Sequence, residues 1–395
     1  MTFRFMRIVD DSLGMLLCGM LGAALQIKHL IVPSMRNIDK DKVRCILLQK
    51  YFGMGSIIHA IQLVKTLRRS YPNAKIVFLT TDAYKETVSI CNIADEIITI
   101  RFSSIRFFIK DLIRIVLYLI KRKIDISVDL EFFAKFPMLI SVLTFARVRL
   151  GLYHRKIRPE GIITHIVFYN FYKHISEIYR AYASALNIKE EFNTDILLPS
   201  FRGVSEESIR QKFNLSNAMK IITINVNAGD LFSFRKWPLH YFAELAKLLI
   251  NKYGDYCYVF IGAKSEYAYV QKIVDMLDYR GENVINCAGK TTLKELFALL
   301  EMSYLVITND SGPLHIASLY GKNIAAFFGP ESPITYGPTN ENALTFHSDN
   351  LYCSPCMCVY DSKKSLYAET CESNICLSSI KPHYVFEAIE KKFLR

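Results

Sequence analysis

Long apolar runs are few in this 395-residue chain, and the most apolar, Leu13 to Ile27, is short of the roughly 20 apolar residues a membrane span needs. Nor is there a convincing secretory signal: Asp10 and Asp11 stand directly before that run, and no small-residue cleavage motif closes it. The turn Gly53, Met54, Gly55, Ser56 lacks the lysine of a Walker loop and the third glycine of a dinucleotide fingerprint, so a bare GxG is all it offers. Acidic residues are scarce beside basic ones, 37 Asp and Glu to 49 Lys and Arg. The resulting net charge of +12 implies anionic partners such as phosphorylated ligands, nucleic acid or an acidic membrane surface, without choosing among them.

Apolar residues are plentiful, and a content of 51% hydrophobic and 13% aromatic excludes a disordered chain. The length suffices for two cores. Cys18, Cys45, Cys91, Cys257 and Cys287 are scattered singly, as buried thiols of a reducing compartment would be, so the body of the protein is expected in the cytoplasm. Leu13 to Ile27, flanked by Arg4, Arg7 and Lys28, reads as a helix lying on a membrane surface. A buried domain helix is the main alternative, and a true span a third reading.

The densest punctuation falls in Tyr304 to Pro338. Tyr304 to Thr308 and Ile324 to Phe328 read as buried strands, and between them Ser311 or Asp310 can cap a helix that Pro313 opens and Gly321 stops. Ser311 and Gly312 would let a ligand approach backbone N–H groups at the positive end of that helix, a setting that attracts phosphate. Asp310 and His315 would face the same crevice, one accepting from sugar hydroxyls and the other donating to phosphate oxygens. An ordinary capped helix is the plainer alternative.

Earlier in the chain, Val43 to Leu48, Ile76 to Thr80, Glu96 to Ile100, Ile124 to Leu130 and Val148 to Leu152 read as short strands with helical stretches between them, hence a parallel doubly wound sheet. The helix around Ile105 to Ile120 carries Arg106, Lys110 and Arg114 four apart, a stripe suited to an anionic bilayer or to plain solvation. Asp129 and Glu131 point the same way at a strand end, where one could act as general base or both could simply be solvated. From Gly161 to Pro199 strands are lost, and a helical stretch around Glu177 to Leu186 is taken as the connection between domains.

Regular elements resume at Lys220, with a strand Ile221 to Val226, then Asn227 to Asp230, then Arg235 and Lys236 before Pro238 opens a helix to Lys252. Two cations at a helix start oppose its dipole, which makes sense if an anion sits between them; a solvated basic turn is the alternative. Glu266, after the strand Tyr258 to Ile261, is placed to reach a ribose or to remain a loop carboxylate. Val284 to Cys287 and a helix Thr292 to Met302 follow. Cys353, Cys356, Cys358, Cys371 and Cys376 cluster near the end; Cys353, Cys356, Cys371 and Cys376 could bind a structural zinc, although the spacing is not that of a standard finger, and packing thiols or a disulfide compete. The chain thus divides into a membrane-associating segment (1–38), a first domain with its connection (39–197), a second domain with the cysteines (198–380) and an amphipathic terminal helix (381–395).

Taken together, AGD with RKWP, GA with Glu266, AGKTTLKELFALL, TNDSGPLHIAS, FFGPESPITYGP and CSPC, preceded by GMGSIIHAIQLVKTLRRSYPNAKI and VDLEFF, resemble glycosyltransferase family 9, the bacterial heptosyltransferase-like enzymes of lipopolysaccharide assembly. The resemblance implies an α/β fold of two Rossmann-like doubly wound domains facing across a cleft (GT-B), with the nucleotide-sugar donor on the second, the acceptor on the first and a tail helix folding back. It also implies inverting transfer of a sugar, a heptose by family weight, with no cofactor or metal in catalysis. By motif position, Asn227, Arg235, Lys236, Glu266, Asp310, Ser311, Gly312 and His315 are the donor-binding residues. The expected partners are a nucleotide-sugar, an anionic glycolipid acceptor and the inner face of the cytoplasmic membrane, with nucleic acid not among them. One departure stands out: where the family has an Asp regarded as the base, this chain has Ser56, whose hydroxyl takes no proton unaided near neutral pH. Glu131 is the favoured replacement, with Asp129 and His59 as alternatives. Because of Ser56, a non-catalytic nucleotide-sugar-binding scaffold is carried as a rival, and a nucleotide-sugar epimerase as another.

Overall fold

A computed structural model of the chain describes residues 9–22, 39–132, 134–153, 162–189, 204–229, 233–357, 371 and 373–395. The chain forms two compact units, Met1–Leu197 and Leu198–Arg395. Each is built on a six-stranded sheet in which every pairing is parallel.

In the first unit the strands are β1 (Cys45–Gln49), β2 (Lys75–Thr81), β3 (Glu96–Ile100), β4 (Ile126–Asp129), β5 (Val148–Leu152) and β6 (His165–Val167), in the order β3-β2-β1-β4-β5-β6. Every residue of β1 is buried, as befits a central parallel strand covered on both faces. Two helix layers supply the cover. The Met54–Ser70 helix packs on Asp82–Ile90 and Ile175–Ala185, while Phe136–Leu143 packs on Ile105–Arg122 and on the amino-terminal helix.

Two expectations are corrected here. The stretch after Gly161 does contain a strand, the three-residue edge β6, in which only Val167 is buried; so short an edge carries almost no alternation to read. The Ile175–Ala185 helix is part of the first unit's own layer, not a bare connection, because Tyr179 and Tyr182 are fully buried and bond to the Ser56 and Asp129 carbonyls.

The amino-terminal helix covers residues 9–22, so residues 23–27 of the expected segment lie outside the described residues. Its inner side is docked. Asp10 accepts from the Lys135 and Phe136 amides and so caps the Phe136–Leu143 helix, Asp11 pairs with the buried Lys135 ammonium at 2.7 Å, and Cys18 is fully buried against Met138, Val142 and Ile162. Burial pushes the Asp10 carboxyl up, against the opposing pull of the two amides and Lys135. The buried-helix reading therefore holds for its inner face, while Leu13, Leu16, Leu17 and Met20 on the other face are exposed.

In the second unit the strands are β7 (Ile221–Asn225), β8 (Cys257–Ile261), β9 (Val284–Asn286), β10 (Leu305–Asn309), β11 (Asn323–Phe327) and β12 (Ala343–Phe346), in the order β12-β11-β10-β7-β8-β9. The unit begins before Lys220: Glu206–Lys212 is a helix capped by Ser205 and tied through Lys212 to Glu295. Trp237 organises the core. Its ring stacks on Phe327 at 4.2 Å between centroids, meets Phe242 edge-on, and donates from Nε1 to the Ile380 carbonyl at 3.0 Å. The carboxy-terminal helix, Pro382–Ile389, continues that core by packing on Leu239–Lys252.

Because Trp237 is fully buried and holds sheet, helix and tail together, Trp237→Ala should cost about 3–5 kcal/mol, and Trp237→Phe clearly less. Chemical denaturation followed by circular dichroism reads this, and a loss under about 1 kcal/mol for the alanine variant would remove Trp237 from that role.

Candidate functional site

The strand order of each sheet reverses at its first strand: β1 lies between β2 and β4, and β7 between β8 and β10. In doubly wound sheets ligands bind outside the carboxyl ends of the strands at that reversal. The residues that matter are therefore those that follow β7 and β10, and those that follow β1 and β4.

In the second unit, Asn225 at the end of β7 donates to Thr308 Oγ1, to Ser311 Oγ and to the Asn227 carbonyl, which locks the two strand ends together. Ser311 occupies the N-cap of the Gly312–Leu319 helix, but its hydroxyl turns back to the Asn309 carbonyl and no side chain caps the helix. The helix dipole's positive end is left to whatever enters the crevice. Arg235 reaches the same place. Its guanidinium donates to Asp310 Oδ2 at 2.8 Å and to the Ala228 carbonyl at 3.2 Å, and His315 Nε2 stands 4.0 Å from the other Asp310 oxygen. The Trp237 amide donates to Asn309 Oδ1, so the basic turn is pinned to the end of β10.

On the β8 side, Asn227 is buried, donates to the Ile261 carbonyl, and keeps an Oδ1 with no hydrogen-bond partner among the described residues. Gly262 separates Asn227 from Glu266; a Cβ there would stand 2.7 Å from Asn227 Nδ2 and 3.2 Å from Glu266 Oε2, so nothing larger fits. Glu266 caps the following turn by accepting from the Ala263 amide, and Lys236 lays its ammonium over the Tyr269 ring at 4.6 Å. Asn227, Arg235, Asp310 and Ser311 thus lie in one neighbourhood joined by hydrogen bonds at the ends of β7 and β10, with Gly312 and His315 on the adjoining helix and Lys236 and Glu266 on the β8 flank. Asp230 lies outside the described residues.

The sequence did not single out Glu331, which follows β11 and is buried. Burial, reinforced by the Asp310 charge and only partly offset by the Ser332 amide and Arg235, raises its carboxyl to about 8. The signal was present as an acid directly after Gly329-Pro330 at a strand's carboxyl end, but its burial is a property of the fold alone.

In the first unit, Gly53 takes φ +89 to start the Met54–Ser70 helix, a conformation that favours glycine. Ser56 is half-buried in that helix's first turn, with His59 one turn on, its ring 5.2 Å from that of His174. Glu131 accepts from the Tyr51 amide at 2.6 Å, the Phe52 amide at 3.0 Å and Lys50 Nζ at 2.9 Å, and Asp129 Oδ1 accepts from the Glu131 amide at 2.8 Å. Both carboxylates are buried, so the strand-end pair is structured rather than solvated.

The thiols of Cys353, Cys356, Cys371 and Cys376 lie near one another electrostatically, and burial followed by the neighbouring sulfurs raises those of Cys356 and Cys376. Among the described residues, no group of three or more His, Cys, Asp or Glu is placed to hold a metal ion, and Cys358 falls outside them. The zinc expectation is left without a described ligand set. What the segment does do is hold the site's loops: Ser354 Oγ donates to the Gly329 carbonyl, and Asn374 donates to that of Lys236.

The raised Glu331 carboxyl gives a signed pH effect. The unfolded chain ionises this group near its ordinary 4.5 while the native state keeps it protonated up to about 8, so stability falls as pH rises through that window. The slope should approach about 1.4 kcal/mol per pH unit. Glu331→Gln should remove it, so that the stability difference from wild type grows between about pH 5 and pH 8 in thermal unfolding; parallel curves would contradict a neutral Glu331.

The sequence profile described as glycosyltransferase family 9 (heptosyltransferase) matches residues 130–366. Lipooligosaccharide heptosyltransferase 2 of Campylobacter jejuni is 32% identical over 211 residues, 53% of this chain and 60% of that protein, so the match spans well under two thirds of the relative. Lipopolysaccharide heptosyltransferase 2 of Salmonella typhimurium is 32% identical over 132 residues, 33% of this chain and 37% of that one. Among solved structures, a glycosyl transferase family 9 protein from Veillonella parvula superposes with TM-score 0.70 at 21% identity over 91% of this chain and 99% of that one. E. coli ADP-heptose lps heptosyltransferase II does so with TM-score 0.67 at 20% identity over 89% and 99%. These two likenesses bear on the fold, which is the GT-B type of two Rossmann-like units. With its family profile covering more than half of its length, the chain belongs to glycosyltransferase family 9.

Proposed function

We propose that this chain is an inverting glycosyltransferase that moves a sugar, a heptose by family weight, from a nucleoside-diphosphate-sugar to a lipid-linked lipopolysaccharide-type acceptor at the inner face of the cytoplasmic membrane. The observation that carries the reading is the meeting of Arg235, Asp310 and His315 with the uncapped Gly312–Leu319 helix where the second sheet's strand order reverses. The names of the relatives support the sugar, and ADP-heptose, named for the E. coli heptosyltransferase of like fold, is the first donor to try.

In this mechanism the second unit holds the donor. Amides at the Ser311–Gly312 turn take phosphate oxygens, Asp310 keeps the Arg235 guanidinium in place, and the unpartnered Asn227 Oδ1 accepts from a donor hydroxyl or base. The acceptor oxygen attacks the anomeric carbon as the bond to the diphosphate breaks, and the helix end and Arg235 stabilise the charge that develops on the leaving group. The first unit receives the acceptor's proton. Glu131, with three donors on its carboxylate, positions the turn that presents Ser56; the proton goes to Asp129 or to the half-exposed His59.

The deciding experiment is release of nucleoside diphosphate from ADP-heptose by purified protein, with and without detergent-dispersed lipopolysaccharide core acceptor. Acceptor-dependent release is expected. A scaffold would bind donor and release nothing, and an epimerase would convert donor without acceptor. Arg235→Ala should lower kcat/KM by about tenfold or more, roughly 1.4 kcal/mol of lost transition-state stabilisation, and unchanged kinetics would dismiss its role. Asp129→Asn and His59→Ala should differ: the variant that loses the proton acceptor loses kcat with donor KM unchanged, and if neither does, neither residue is the base.

A further inference from the structure

Among the described residues, the first unit presents two helices whose outer faces are apolar and exposed. In the amino-terminal helix, Gly14 and Cys18 face inward, while Leu13, Leu16, Leu17 and Met20 are exposed, Leu16 by 61% and Met20 by 64%. That is the i, i+3, i+4, i+7 spacing of one helix face. In Ile105–Arg122, Ile115 and Leu119 enter the core, and Ile105, Ile109, Ile113 and Leu117 form an exposed stripe at intervals of four, with Leu117 63% exposed. Both helices pack on Phe136–Leu143 and so belong to the same layer of the sheet.

Charge distinguishes what would cover these faces. Arg106, Lys110, Arg114, Lys121 and Lys123 are all exposed along or just beyond the second helix, on the flank of its apolar stripe. Its sole acid, Asp111, is buried and taken up by Arg101 and Arg114. On this helix, an apolar stripe edged by cations with no exposed acid matches a surface that is hydrocarbon underneath and anionic on top; residues 9–22 add apolar area but no cation, and their exposed Asp11 is paired with Lys135. A protein partner's surface offers both signs of charge. No helix among the described residues is long and apolar enough to cross a membrane, so the contact is one of lying in the interface.

We propose that the outer faces of residues 9–22 and Ile105–Arg122 together form a docking surface for an anionic phospholipid bilayer. The proposal deepens the reading above and rests on it for its purpose, since a lipid-linked acceptor is met at a membrane, yet it stands or falls on its own measurement. Cys18, Gly14 and the Asp10 cap fix the first helix to the protein, so that its free face is held out and not folded away.

The test is co-sedimentation of the full chain with vesicles of phosphatidylcholine alone and of equal parts phosphatidylcholine and phosphatidylglycerol. Binding should require phosphatidylglycerol and weaken as sodium chloride is raised. The paired variants Leu16→Glu with Met20→Glu, Ile113→Glu with Leu117→Glu, and Arg106→Glu with Lys110→Glu change only exposed side chains, so each should fold and should keep the thermal shift given by ADP. Each pair should weaken binding by about tenfold or more. Equal binding to both vesicles, or variants that bind like the wild type, would overturn the proposal. So would variants that convert a dimer in solution into a monomer with no vesicle binding, because the occupant would then be a second copy. Transfer to detergent-dispersed acceptor, measured in parallel, separates the two readings: transfer without vesicle binding sinks the docking surface alone, and vesicle binding without transfer sinks the enzymatic reading alone.

Discussion

The Arg235–Asp310 pair is the constraint around which the second unit's site is arranged. Its carboxylate is buried and its guanidinium mostly so, with side-chain exposures of 5% and 19%. A pair in this position adds little net stability, since desolvation consumes most of the attraction, but breaking it leaves a buried charge and is strongly disfavoured. That asymmetry fixes geometry. Arg235 must stay at the end of β10, the Trp237 amide two residues on must meet Asn309, and the Trp237 ring must enter the core on Phe327. Together with burial, the same negative charge helps hold Glu331 protonated, so that Glu331 adds no second charge beside Asp310.

The first unit uses the equivalent position differently. At its strand reversal a cation and a carboxylate also pair, Lys50 with Glu131, but here two backbone amides bond the carboxylate as well. Those amides belong to the residues directly before Gly53. Glu131 thus shapes the turn into the Met54–Ser70 helix from across the sheet, and Tyr179 and Tyr182 brace the same region by bonding to the Ser56 and Asp129 carbonyls. A carboxylate held by three donors is well placed to anchor a loop. Spacing along a strand can bring Asp129 and Glu131 to one end, but which of them can react depends on partners some eighty residues away in sequence, as Lys50 to Glu131 is.

Strands such as Lys75–Thr81 and Ile221–Asn225 were legible because a buried parallel strand is a compact run rich in β-branched residues, and the turn at Ser311 because Asp, Ser, Gly and Pro together leave few alternatives. β6 and β12 were not, since an edge strand of three or four residues, only partly buried, shows neither a run nor an alternation. The helix Glu206–Lys212 was hidden for a related reason: it buries only Ile209 and is held by the Ser205 cap and by Lys212 reaching Glu295. At the site, residue types that bind phosphate announce themselves, whereas Asn225 and Glu331 act through burial and through bonds to other strands. Chain order cannot display either.

The amino-terminal helix shows how a sequence can be apolar on every side for two separate causes. Helices of that kind are ordinarily either enclosed by protein or bounded by lipid. Here glycine divides the two roles. Gly14 lies under the Lys135 side chain, where a Cβ would stand 3.2 Å from Lys135 Cβ, while a Cβ on Gly19 would meet nothing within 4 Å. Asp10 and Asp11, which in sequence argue only against a secretory signal, turn out to fasten the helix by capping its neighbour and neutralising the buried Lys135. Once that end is tied, Leu13, Leu16, Leu17 and Met20 are held outward by the docked face itself. Leaving them in water is unfavourable in proportion to their apolar area, and among the described residues nothing covers them. The docked face therefore explains why the helix is attached to this unit, and the composition of its other face is what the proposed bilayer contact would cover.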